Sequence, residues 1–234
     1  MATKPKNPEF TSPRGVFRFP KLTEPDYGTK EYPKPDGEYK VTLILSQEEA
    51  EAFIAKLQPL HDEAVKVGRE AFKELKVEAR KKLKEITIQP FFSEEYDKET
   101  EEPTGNLLFT FKMAASGISK KTGKKWSRRP ALFDAKGKPI LKAPDIWGGS
   151  EGRVQFEVSP YFIPGTALTG IKLRLNAVKL LELRSGGARS ASDYGFDEEE
   201  DGFSAADLPE TEDSSNPFAD DDKTDGDEAD SSDF

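Results

Sequence analysis

The last 45 residues of this chain cannot help to build a packed core. From Ser190 to Phe234 there are 18 Asp and Glu side chains against one basic residue, Lys223, a local net charge of about -17. Like charge at that density repels itself, and the few apolar side chains between the carboxylates bury too little surface to offset the entropy of ordering. Residues 190–234 therefore read as a disordered acidic tail, and any fold must come from what precedes them. The whole chain holds 35 basic and 44 acidic side chains, so the first 189 residues keep 34 basic and 26 acidic, a net of about +8. A mildly basic body carries a tethered polyanion.

Several classes drop out for want of the residues they need. The longest apolar runs are a few residues, far short of the ~20 that a membrane helix requires. The opening stretch MATKPKNPEF lacks the apolar core of a secretory signal. There is no cysteine for a disulfide framework, a thiolate zinc site or a thiol nucleophile. His61 is the sole histidine, which excludes His-rich metal sites and leaves little room for a Ser-His-Asp triad. No cofactor is expected, and the composition suits a non-enzymatic protein of the cell interior.

Residues 1–12 are polar and Pro-rich, and read as a flexible N-terminal arm. Strand grammar follows: a short run at Val16–Phe19, then Tyr39, Val41, Leu43 and Leu45 alternating with Lys40, Thr42 and Ile44. Ser46 with Glu49 three residues on forms a capping box, and the period then lengthens. Phe53, Leu57, Leu60, Ala64 and Val67, continued by Ala71, Leu75, Ala79, Leu83 and Ile86, make a helical stripe across about 46–85. Pro59 and Gly68 inside it predict a kink or two helices. Period-2 patterns return at Leu107–Met113, Val154–Val158 and Ile171–Leu183, the last interrupted at Ala177-Val178, where a bulge is expected. The pattern is mainly β: a small closed or partly open barrel over 13–189 with one long inserted helix packed on it.

Few constellations in this body carry chemistry. Gly117 and Gly123-Lys124 miss phosphate-loop spacing by one residue, and Lys125 stands where Ser or Thr should bind magnesium. In the tail, Gly226 fits no calcium loop, because Lys223 and Ser232 fall at ligand positions. His61, beside Asp62 and Glu63, reads as an ordinary helix histidine. What remains is positive charge interleaved with rings on strand-like segments. Lys112, Lys124, Lys125, Arg128 and Arg129 share a stretch with Trp126, Lys172 and Arg174 fall on an outward strand face, and Tyr161-Phe162 follows Pro160. Lys and Arg neutralise phosphates while flat rings stack on unpaired bases, so this pattern points to single-stranded nucleic acid. The tail's root-mean-square span of about 37 Å would let it reach such a groove and compete with the ligand.

The strings PDYG (25–28), GEYKVTL (37–43), PFF (90–92), FTFK (109–112), FDAKGK (133–138), IWGGS (146–150), VSPY (158–161) and LRLNAVKLLEL (173–183) occur in this order, and the tail ends in Asp233-Phe234. In this the chain resembles the single-stranded DNA-binding proteins of tailed phages, counterparts of bacterial SSB. The resemblance implies an OB-fold barrel, binding of single strands with little sequence preference, and a role in DNA replication, recombination and repair in the cytoplasm of the infected bacterial host. It implies base stacking by Tyr161, a DNA-facing Lys112, and a further ring at Tyr27. Ala114-Ala115 replaces a more aromatic stretch of the family, which shifts the stacking role toward Trp126 or Trp147. Asp233 and Phe234 become the contact for replication proteins such as DNA polymerase and helicase. No membrane partner is implied, and the residues leave a homodimer open. The alternative reading is an acidic DNA mimic that sequesters basic partners and has no groove of its own.

Overall fold

Alternating burial organises most of the chain in the computed structural model, which describes residues 6–185. The acidic tail, with Asp233 and Phe234, and the first five residues of the arm lie outside the described residues. The strands are β1 (Glu9–Thr11), β2 (Gly15–Gly28) and β3 (Pro33–Ser46), followed by helices α1 (Gln47–Lys73) and α2 (Val77–Leu83). Then come β4 (Thr87–Ile88), β5 (Ser93–Tyr96), β6 (Pro103–Ala114), β7 (Ser116–Ile118), β8 (Lys125–Ser127), β9 (Ala131–Phe133), β10 (Glu151–Ile163) and β11 (Leu168–Glu182).

Five of these strands close into a barrel: β2 pairs with β3, β3 with β6, β6 with β11, β11 with β10, and β10 returns to β2. The expected OB-fold-like barrel is thus the observed architecture. Period-2 alternation explains the closure, because each strand has one apolar face that only the barrel interior can bury. Val41, Leu43, Phe109, Phe111, Val154, Phe156, Val158 and Leu175 are all essentially inaccessible. Four seams are antiparallel, whereas β6 and β11 run parallel and meet at a single register pair, Arg174 beside Lys112. Beyond that pair the two strands part. Asn176 is the extra residue between the pairs Phe156–Leu175 and Gln155–Ala177, so the bulge sits one position before the expected Ala177.

Helix α1 packs on the barrel through Ala50, Phe53, Leu57, His61, Ala64 and Gly68. Ser46 and Glu49 form the expected capping box. The Phe53 ring meets those of Phe109 and Phe156 edge-on at 5.0 and 5.8 Å. The segment does form two helices, but neither Pro59 nor Gly68 makes the break, which falls at residues 74–76. Pro59 is tolerated because it and Ala55, whose carbonyl loses its amide, are both exposed to water. Gly68 is required by close approach: a Cβ there would lie 2.3 Å from Thr169 Oγ1 on β11. The helical stripe also ends early. Val67 is exposed, and α2 buries no residue.

Two further differences concern the strands. Residues 9–11, assigned to the flexible arm, form β1 on the free edge of β10, with Phe10 opposite Phe156 and the rings 5.9 Å apart. The short run at Val16–Phe19 extends to Gly28, through register shifts and a positive φ at Phe19 that disguise it. No helix among the described residues is long and apolar enough to cross a membrane.

Candidate nucleic-acid interface

Where β6 and β11 part, an open groove of about 950 Å³ is left on the outside of the barrel. Its floor is the outward face of both strands, Thr110 and Lys112 on β6 and Lys172 and Arg174 on β11. One wall is the loop at residues 89–93, and the other is the end of β10 at Ser159, Pro160 and Tyr161. Arg128, just after β8, overhangs one end.

The cations are arranged so that a phosphate can replace what holds them. Lys112 Nζ lies 3.5 Å from Glu38 Oε1, but that oxygen has a closer partner in Lys34 Nζ at 2.9 Å. Arg174 lies 3.6 Å from Glu157. Pairs this long and this exposed contribute little, so an incoming phosphate loses little by displacing them. Lys40, across from Lys112 in the β3–β6 register, differs. It donates to Asp26 at 2.7 Å, and that bond, with the Gly28 amide and Lys34, holds the Asp26 carboxyl far below the usual carboxylate range. Arg128 donates from Nε to the Ala114 carbonyl at 3.0 Å, which orients its guanidinium. Burial, followed by the charge of Arg174, lowers its pKa, yet a guanidinium stays protonated in proteins. It makes no ion pair among the described residues, and its charge lies 5.0 Å from the Trp126 ring.

Tyr161 provides the flat surface. It pairs with Gly170 in the β10–β11 ladder, where a Cβ would come within 2.8 Å of the Gln89 carbonyl and 3.3 Å of the Tyr161 hydroxyl. Only glycine lets the ring and the loop close over that point. Lys172 Nζ sits 5.0 Å from the ring centroid, and burial raises the phenol pKa, so the ring stays neutral. The strand end is braced from beneath: Thr169 Oγ1 lies 3.1 Å from the Tyr161 carbonyl and 3.2 Å from that of Ala64 in α1, its one proton shared between them. The opposite wall hangs on the same residue, since the Gln89 amide donates to the Thr169 carbonyl at 2.8 Å. His61 Nε2 lies 3.0 Å from the Gln89 carbonyl, so this helix histidine is satisfied by the loop backbone rather than solvated.

The structure therefore brings Tyr161, Lys112, Arg128, Lys172 and Arg174 into one groove. Trp126 adjoins it through Arg128, and Lys124 and Lys125 extend from the same β7–β8 hairpin. Phe162 does not line the groove, and Arg129 lines a separate cleft. Tyr27 projects from the β2–β3 hairpin, and Trp147 from the loop before β10, where its amide donates to Arg184. Sequence reasoning passes over Phe92 and Thr110, which face the groove. The signal for Phe92 is the PFF string, and for Thr110 the outward phase of β6.

Residues 14–183 match the family model described as single-stranded DNA-binding protein, bacteriophage T7. The chain is similar to the single-stranded DNA-binding protein of Enterobacteria phage T3, 30% identical over 200 residues, covering 82% of this chain and 83% of that one. Its similarity to the Escherichia phage T7 protein is 30% identity over 211 residues, covering 84% and 85%. The crystal structure of the single-stranded DNA-binding protein encoded by bacteriophage T7 superposes with a TM-score of 0.60 at 28% identity, covering 85% of this chain and 99% of that one.

Proposed function

The chain belongs to the phage T7 single-stranded DNA-binding protein family, and from that membership we propose that it coats single-stranded DNA, without catalysis, in the groove between β6 and β11. One observation carries the reading: Lys112, Arg128, Lys172 and Arg174 converge on a groove whose wall presents Tyr161. The four cations line one open groove, where they can neutralise phosphates, and the ring offers a surface on which any base can stack. Phosphate charge and the face of a base are common to every nucleotide, in keeping with binding of little sequence preference. The setting is phage DNA replication, recombination and repair in the cytoplasm of the infected cell.

The salt dependence of binding tests the groove. Oligo-dT affinity should fall linearly in log–log form as salt rises, and neutralising any one of the four cations should lower the slope by about 0.7, the single-strand value per phosphate contact. The loss should be the same for different base compositions. A loss confined to one composition would instead mean direct base reading.

The acidic tail has two roles in this proposal: it competes with DNA for the body's cations, and through Asp233 and Phe234 it recruits replication proteins such as a polymerase or helicase. The support is the charge division of about +8 against -17 along the chain. A tethered competitor acts at an effective concentration near the mM range even when its intrinsic affinity is low. A chain ending at Arg189 should therefore bind oligo-dT more tightly than the full chain. The advantage should shrink as the Debye length falls from about 10 Å at 0.1 M salt to about 3 Å at 1 M. Equal affinities at low salt would leave the tail as a recruitment peptide alone. No binding even after truncation would favour the DNA-mimic reading.

A further inference from the structure

A second cleft, of about 420 Å³, opens on the far side of the segment that carries Arg128. Its lining is mixed: Leu22 on β2, Leu132 on β9, and Ile140 and Leu141 in the connection to β10 supply apolar side chains, and Thr23 and Arg129 supply polar ones. Leu141 is 77% exposed and so open to a ligand. Arg129 stands at the rim and makes no ion pair among the described residues. The connection also carries Lys136, Lys138 and Lys142. Its single carboxylate within residues 129–143, Asp134, is committed to the turn, accepting the amides of Lys136 and Lys138 at 2.9 and 2.8 Å.

We propose that this cleft is a second subsite for the same single strand, taking an unstacked base against Leu132, Ile140 and Leu141 while Arg129 holds the adjoining phosphate. The inference rests on the reading of the first groove as a single-strand channel. Two observations carry it further. Arg128 lines the first groove and Arg129 the second, so consecutive residues, about 3.8 Å apart at their Cα atoms, supply cations to both. A strand that passes Arg128 and rounds this segment would reach Arg129. The second observation is chemical: a cation beside apolar side chains in one cleft matches a phosphate next to the face of a base, and both parts recur in every nucleotide whatever its sequence. The alternative occupant, an apolar peptide, would use the walls but not a place on the path of the groove.

Leu141→Glu tests the proposal. The side chain is exposed, so the exchange leaves the fold intact, and it puts a carboxylate where the strand would run. Binding of an oligo-dT of about 20 nucleotides should weaken roughly tenfold, whereas one of about 6 nucleotides, held by the first groove alone, should bind as before. Arg129→Ala should likewise lower the salt slope for the long oligonucleotide only. Undiminished binding of the long probe by Leu141→Glu, or equal weakening of both lengths, would overturn the inference. Loss of binding to an apolar peptide probe with DNA binding unchanged would overturn it too, and make the cleft a peptide-docking surface. If the short probe fails to bind the unaltered protein, the reading of the first groove is what fails.

Discussion

Replacing Phe156 by alanine is expected to destabilise the fold by about 3 to 5 kcal/mol, the upper range for truncating a buried side chain. The residue is wholly inaccessible at the centre of β10. Its ring lies 4.9 Å from that of Phe111, 5.8 Å from Phe53 and 5.9 Å from Phe10, so β6, α1 and β1 all pack on it. β6 and β1 are fixed by their sheet ladders and α1 by its packing on the barrel, so they cannot collapse freely into the space left behind. The lost transfer energy is therefore joined by the energy of a cavity. Urea or thermal unfolding reads the change directly. A variant that unfolds like the parent would show that β10 does not present this residue to the core.

The inward register of Phe156 is legible from the amino-acid sequence, and so is that of most of the barrel. Strands with one buried face must alternate, which is why Val41, Phe109, Val158 and Leu173 announce their orientation. The same logic explains what stays hidden. β1 contains one apolar side chain, Phe10, and exists only because the edge of β10 is there to receive it. The far half of β2 contains Pro20 and Pro25 and shifts register against β3, so it shows no sustained period. Pro59 reads as a helix breaker by residue type, although it lies off the apolar stripe, where water takes up the carbonyl that its ring leaves without an amide. At the site, the residue types are readable but their convergence is not. Lys112 and Arg174 become neighbours through the parallel β6–β11 contact, a single pair that no local pattern encodes. Phe92 is easily passed over because a PFF string is as suited to a core as to a wall, and its neighbour Phe91 is indeed buried.

Tyr161→Ala should act on binding and leave the fold alone. The ring stands at the end of β10, half-exposed, with the Lys172 ammonium 5.0 Å away. What it contributes to the fold passes through its backbone, the carbonyl that faces the Thr169 hydroxyl and the ladder to Gly170, and alanine keeps both. What alanine removes is the surface for a base, worth about 1 to 3 kcal/mol, or roughly five- to 150-fold in affinity. The most direct measurement is fluorescence anisotropy of an oligo-dT probe titrated with the parent and with Tyr161→Ala at one low salt concentration, beside melting curves of both. The account predicts coincident melting and a binding curve displaced to higher protein concentration by that factor. Coincident binding curves, or a loss of affinity that matches a loss of folded protein, would contradict it.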